Sequence, residues 1–223
     1  MKYSLTIIAL LLIIASAYAQ KEIKFFTNEQ PIDVNRYKDI EGSPFLFKTW
    51  KKATLYDVYG ATYNDVFFNY NGLTQDIELF KNDKEFIILN SLFYERIVAE
   101  DEDAPNGQLV MKKGLDPELG ESFVQVIHEG EKLTVIKQFN VRKSKVTIND
   151  VGKIRNFENF TRSTNYNVIS KLAMVDMSTK KKQLLRLLGS ENELDQYIKT
   201  ERLDLDKDID LGKLFAFYET LEN

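Results

Sequence analysis

The chain has 223 residues, 30 basic against 34 acidic for a net charge of −4, a single histidine and no cysteine. The mild acidity excludes general nucleic-acid binding, which needs clustered Lys/Arg against phosphate. The lack of cysteine excludes a disulfide framework, a thiolate nucleophile and a lipid-modified amino-terminal cysteine.

Lys2 precedes an uncharged apolar stretch from Leu5 to Ala15, and Ser16-Ala17-Tyr18-Ala19 follows it. Small residues at Ala17 and Ala19 make the A-x-A pattern of a secretory signal, with cleavage expected between Ala19 and Gln20. The stretch falls short of the ~20 apolar residues of a spanning helix, and no Lys/Arg cluster closes it. Removing 1–19 leaves 204 residues with a charge of −5. No later segment is apolar enough to span a bilayer, so no transmembrane segment is expected after signal removal. A domain of this size buries roughly 70% of its unfolded surface without bridges. A Cys-free exported chain points to a bacterial cell envelope, with a secreted or periplasmic location.

Residues 20–44 show no sustained period and are punctuated by Pro31 and Gly42-Ser43-Pro44, which suggests a leader adding one edge strand. Ala53–Val58 and Thr62–Tyr70 are rich in β-formers, and Asn71-Gly72 marks a hairpin turn. Asp76–Phe80 alternates, and Phe86–Leu89 is a short continuous apolar run suited to a strand buried on both faces. Arg96–Ala99 continues the meander. Glu100–Gly107 reads as a loop, Leu109–Met111 as a short strand, and Gly114–Gly120 as a second loop. Phe123–His128 and Leu133–Lys137 flank Glu129-Gly130-Glu131-Lys132 as a clear hairpin. Residues 140–163 are polar and read as irregular, and Tyr166–Val175 reads as a last strand.

At Ser178 the period turns helical. Lys181, Leu184, Leu185 and Leu188 share a face, with Gly189 as a stop. Ser190 is an N-cap candidate for Glu191–Glu201, and Asp206 or Asp208 for a last helix carrying Leu211, Leu214, Phe215 and Tyr218. The expected fold is α+β: an antiparallel β-rich meander body over 20–177, then two or three short helices over 178–223 packed on it, after an N-terminal signal helix over 1–19.

Ser43-Pro44-Phe45, Leu55-Tyr56, Gly60, Tyr63, Val66, Tyr70-Asn71 and Asp76-Ile77-Glu78 resemble a family of uncharacterised secreted proteins of Bacteroidota-type bacteria. The tail resembles the same family through Lys180–Leu185, Asp210–Leu214 and the aromatic at Tyr218. The resemblance covers about half of the chain. It implies an envelope or extracellular location and a β-rich body with a helical tail, and it carries over no catalytic residues.

The constellations that could carry chemistry are few. His128 is the one histidine, at a strand end beside a turn, where an exposed polar residue is ordinary. No G-x-S-x-G, H-E-x-x-H or phosphate-cradling glycine motif occurs, and no catalytic residue, metal ligand or cofactor is assigned. Asp204, Asp206, Asp208 and Asp210 alternate like a calcium loop, but Ile209 and Phe215 stand where its glycine and glutamate belong. An acidic first helical turn suits them better. Glu100–Asp103 reads as a solvated loop, with a weak calcium site as the alternative. Lys180–Lys182 reads as a solvated face rather than a lipid contact. Tyr56, Tyr59, Tyr63, Phe67, Phe68 and Tyr70 crowd one hairpin. Alternation sets Val66, Phe68 and Tyr70 on one face and Tyr63, Asp65 and Phe67 on the other. Core packing is one reading of these rings, and a binding surface for an envelope protein or a glycan is the other. The functional expectation is a non-enzymatic envelope protein with a binding or structural role. The alternatives are a carboxylate-dependent hydrolase acting on glycans, which needs two paired carboxylates, and an adhesin or stress-response factor.

Overall fold

A computed structural model describes residues 32–221 apart from 34, 83, 84, 151 and 152. The expected signal segment, with Ala17, Ala19 and Gln20, lies outside the described residues. The strands are β1 (Ile40–Glu41), β2 (Lys51–Asp57), β3 (Thr62–Asn71), β4 (Asp76–Asn82), β5 (Glu85–Ile88), β6 (Tyr94–Glu100), β7 (Gln108–Lys112), β8 (Val124–Glu129), β9 (Leu133–Asp150), β10 (Lys153–Ser170) and β11 (Met174–Met177). Three helices follow: α1 (Lys181–Leu188), α2 (Glu191–Glu201) and α3 (Asp208–Thr220). The fold is α+β, as expected. No helix among the described residues is long and apolar enough to cross a membrane.

All the strands join one sheet in the order β1-β10-β9-β8-β7-β6-β2-β3-β4-β5, with β11 also on β10. Every pairing is antiparallel except the short β1–β10 contact. The simple meander is broken twice, first because β1 lies on β10 rather than beside β2. After β5 the chain returns across the sheet, and β6 pairs with β2 rather than with its predecessor. β5 is therefore an edge strand. Of its apolar run Ile87 is fully buried while Ile88 is 43% exposed, so one face meets the core and not two.

Period-two burial explains the first core. Ala53 and Leu55 on β2, Val66, Phe68 and Tyr70 on β3, and Ile77 and Leu79 on β4 are buried and pack with Ile97 and Met111. Tyr70 lies deep enough that burial, followed by the charge of Asp76, pushes its hydroxyl up to about 12. A bulge disturbs the alternation at the start of β3. Asp65 takes a φ of 63°, and the β2–β3 register shifts between Ala53 and Leu55. Tyr63 is thereby turned onto the core side, its ring centroid 5.9 Å from that of Tyr94 and its hydroxyl donating to Asp57 at 3.0 Å.

Gly72 shows that a turn dipeptide can have another role. Its φ is not positive; the left-handed residue of this turn is Gln75, at 62°. A Cβ on Gly72 would stand 2.7 Å from the Phe139 ring and 2.9 Å from Val141. The curved sheet brings β9 against this turn, and the Val141 amide donates to the Gly72 carbonyl at 2.9 Å.

The second core lies between the helices and the β8–β11 region. It holds Ile127, Val135 and Val168 from strands and Leu184, Leu194, Leu211, Leu214 and Phe215 from helices. A smaller cluster of Leu119, Val124 and Ile136 covers the other side of β8 and β9. The α1 stop is as expected, with Gly189 left-handed at φ 79°. Ser190 precedes α2 without a side-chain capping bond, and Lys207 holds the N-cap position of α3.

Residues 140–163 depart furthest from expectation. Residues 140–150 and 153–163 are not irregular but form most of a long hairpin, paired without a break from Lys153↔Asp150 to Ser170↔Leu133. The strand period is hidden there because neither face is buried over much of its length. The strand expected from Tyr166 to Val175 is in fact two, broken at a turn where Leu172 is 96% exposed.

Candidate ligand cleft beside the last helix

Helix α3 is fastened to the sheet by a carboxylate near each end. Asp208 occupies the first turn, where the helix dipole favours negative charge. Its Oδ2 accepts from Lys137 Nζ at 2.7 Å and from Gln125 Nε2 at 3.1 Å, and its Oδ1 accepts from Tyr166 OH at 2.8 Å. Three neighbouring strands, β8, β9 and β10, thus hold one side chain. Burial and then the adjacent Asp208 charge push the Tyr166 hydroxyl up, so it remains a donor.

Glu219 makes the second attachment, near the helix C-terminus. Its carboxylate accepts the backbone amides of Lys132 at 3.0 Å and Leu133 at 3.3 Å, in the β8–β9 turn. Lys132 in turn donates to the terminal carbonyls of Tyr218 and Leu221, a cation at the negative end of the dipole. Burial pushes the Glu219 carboxyl up, but the two amides and the His128 imidazole outweigh it and hold it below the usual range.

His128 is not an exposed strand-end residue. Its side chain is 13% exposed, with Nε2 3.5 Å from Glu219 Oε1 and its ring 6.1 Å from that of Phe215. The cause is α3, which no local pattern in β8 announces. Burial lowers the imidazole pKa, only partly opposed by Glu219 and Glu129. Both His128 and Glu219 therefore have depressed folded-state values. A depressed value means that the unfolded chain binds the extra proton more readily, so stability is fullest above the unfolded pKa and falls with pH. The loss starts below the ordinary histidine value of 6.5 and continues below the ordinary glutamate value of 4.5. Melting temperature should decline from pH 7 to pH 4, and His128→Gln should flatten the upper part of that decline. Parallel profiles for the two proteins would remove His128 from this account.

Between the two attachments lies a cleft of about 600 Å³. Its walls are the turn at Pro105–Gly107, Gln108 and Val110 of β7, Val126–Glu129 of β8, and Ile209, Gly212, Lys213 and Ala216 of α3. Gly212 allows the close approach, since a Cβ there would sit 2.8 Å from Pro105. Pro105, Val110, Val126, Ile127, Ile209 and Ala216 supply its apolar part. The charged groups at the rim already have partners. Glu129 takes Lys112 Nζ at 2.6 Å, and Lys213 takes Asp210 at 2.8 Å. Glu129 is the one carboxylate among the described lining residues, whereas glycoside hydrolysis takes two. The volume and the apolar lining match a binding cleft for a small ligand or a peptide segment.

The aromatics of the β2–β3 hairpin do not form one surface. Phe68 and Tyr70 lie in the core, and Tyr63 packs on it. Tyr56 is half-buried beneath Arg96, whose guanidinium lies 3.9 Å from the ring centroid. Tyr59 stands 73% exposed at the β2–β3 turn, and Phe67 is 42% exposed on the opposite face from Phe68. Phe67 opposes Phe80 across β3–β4, and Phe80 opposes Phe86 across β4–β5. Trp50 joins them, 5.0 Å from Phe86 and 6.2 Å from Phe80. The half-exposed aromatic row thus runs across strands rather than along the hairpin. Such a row depends on pairing register, which is invisible in one strand's sequence.

Asp204, Asp206, Asp208 and Asp210 each have partners within the fold, and the Asp204 amide donates to Asp210 at 3.0 Å. Asp206 accepts from Thr179, Asp204 and Asp210 bind neighbouring lysines, and Asp208 turns into the sheet. Glu100–Asp103 lines an open depression with Lys51, whose Nζ is 3.4 Å from Asp101. Among the described residues no three His, Cys, Asp or Glu side chains are placed to share a metal ion. Lys181, at the start of α1, pairs with Asp195 of α2. The cleft was not read from sequence, because its walls come from three separated segments. One signal was present: Glu219 near a helix C-terminus opposes the dipole and so needs compensating partners.

Comparison with known proteins finds no matching family model, no matching curated protein and no matching solved structure.

Proposed function

We propose that this is an exported, non-catalytic binding protein of a bacterial envelope, which takes an apolar segment of a partner protein in the cleft beside α3. The carrying observation is the cleft's combination of an apolar lining with rim charges already committed to intramolecular partners. His128 also lines the cleft, its Nε2 turned to Glu219 at 3.5 Å, and the paired rim charges around aliphatic side chains favour burial of an apolar group. The A-x-A pattern expected to be cleaved between Ala19 and Gln20 supports the location.

The test fills the cleft. Ala216 is exposed on α3 and lines the cleft, so Ala216→Trp adds bulk there without entering the core. Anilinonaphthalene sulfonate, an apolar dye, should bind the native chain saturably. Ala216→Trp should abolish that binding while leaving the melting temperature nearly unchanged. Dye binding that is unaffected by Ala216→Trp would overturn the reading.

A further inference from the structure

Among the described residues, β9 beyond Lys137 has no strand on its outer edge, and β10 has there only the two residues of β1. From Arg142 to Asn149 and from Ile154 to Asn156, every side chain except Val146 is exposed. Past β1, from Val146 and Phe157 outward, the hairpin leaves the body as a two-stranded arm, roughly 15 Å long at ~3.3 Å per residue.

Its charge opposes that of the body. Residues 142–162 hold six basic side chains (Arg142, Lys143, Lys145, Lys153, Arg155 and Arg162) and two acidic ones (Asp150 and Glu158), a net +4 in a chain of −4. The rest of the chain thus carries −8. Among the described side chains two of these cations have carboxylate partners: Lys143 with Glu158 at 3.2 Å and Arg155 with Glu41 at 2.7 Å. Exposed pairs of this kind are weak and easily exchanged. Arg162 donates to the carbonyls of Ser43 and Phe45, which leaves its charge uncompensated. Arg142 and Lys145 have no partner among the described residues.

Apolar groups stand among these cations. Ile154 is 70% exposed and Ile148 45% exposed. Ile148 opposes Arg155 and Val146 opposes Phe157, so these four share one face, with the Arg155 guanidinium 5.1 Å from the Phe157 centroid.

We propose that this arm docks the protein on an anionic lipid bilayer, with its lysine and arginine heads on the phosphate groups and its isoleucines in the interface. A bilayer needs only the end of the arm. A long polyanion lying across the molecule would meet the −8 of the body and be repelled. Exposed aliphatic side chains beside cations suit the interfacial zone, where both can be satisfied. The proposal stands apart from the cleft, and each can fail without the other.

The experiment uses the processed chain beginning at Gln20, mixed with phosphatidylcholine vesicles with or without about one third phosphatidylglycerol, and reads the bound fraction by sedimentation. Binding should be about ten-fold stronger to the anionic vesicles and should weaken as salt rises. Arg142→Ser/Lys145→Ser should reduce it about ten-fold, and Ile148→Ser/Ile154→Ser should also reduce it, with unchanged circular dichroism. Equal binding to neutral vesicles, no binding, or full binding by both variants overturns the proposal. So does duplex DNA competing as well as the anionic vesicles. Self-association of Arg142→Ser/Lys145→Ser with lipid binding intact would instead make these cations protectors of an open strand edge, and would also overturn it.

Discussion

Asp208→Ala should destabilise the protein by about 3 kcal/mol. The substitution removes the shared acceptor of Lys137, Gln125 and Tyr166, at 2.7, 3.1 and 2.8 Å. The side chains of the Lys137–Asp208 pair are 22% and 12% exposed, so the stranded ammonium is poorly rehydrated. Removing one partner of such a pair is costly, while removing both can be nearly neutral. Lys137→Met in the Asp208→Ala background should therefore restore part of the loss, a coupling that a double-mutant cycle measures directly. For a domain of this size the single variant should melt about 6–10 °C lower. A loss below about 1 kcal/mol, or strict additivity with Lys137→Met, would show that the α3 N-terminus is not held through this carboxylate.

Gly72→Val should cost a similar amount, about 3 kcal/mol, by the opposite route of overfilling. Gly72 is buried, with its amide donating to the Pro44 carbonyl at 2.9 Å and its carbonyl accepting from Val141 at 2.9 Å. The backbone is thus clasped on two sides and cannot retreat from the Phe139 ring. Nor is Phe139 free to give way. It lies edge-on to Tyr70 at 6.3 Å and beneath the Arg162 guanidinium at 5.6 Å. Gly72→Ala should cost less, about 1–2 kcal/mol, and Phe139→Leu should relieve part of it. Urea denaturation of the four proteins checks the order. Equal stability of Gly72→Val and wild type would mean that the turn does not bear on β9.

Most elements were legible because their signals are local. Leu184, Leu185 and Leu188 at helical spacing, and Ala53 with Leu55 at strand spacing, report one buried face each. The β8–β9 hairpin was legible for the same reason, with a turn sequence between two apolar runs. The distal half of β9–β10 was not, because Arg142–Lys145 and Ile154–Asn156 face solvent on both sides. Pairing alone makes them strands, and pairing leaves no period in the side chains. The aromatic hairpin was half legible. Alternation placed Val66, Phe68 and Tyr70 together, and the Asp65 bulge moved Tyr63 away from Phe67.

By itself the sequence determined the α+β class, the helical tail and the lack of any cysteine chemistry, since each depends on composition or on spacing within a single element. It also carries the A-x-A pattern at Ala17 and Ala19 on which the proposed location rests. The tertiary structure decided the partners of each element. It set β6 beside β2, pressed β9 onto Gly72, buried His128 under Phe215 and Glu219, and drew Asp208 into the sheet. Each of these joins residues tens of positions apart in the chain, and such contacts follow from shape and register, which no short stretch of residues encodes.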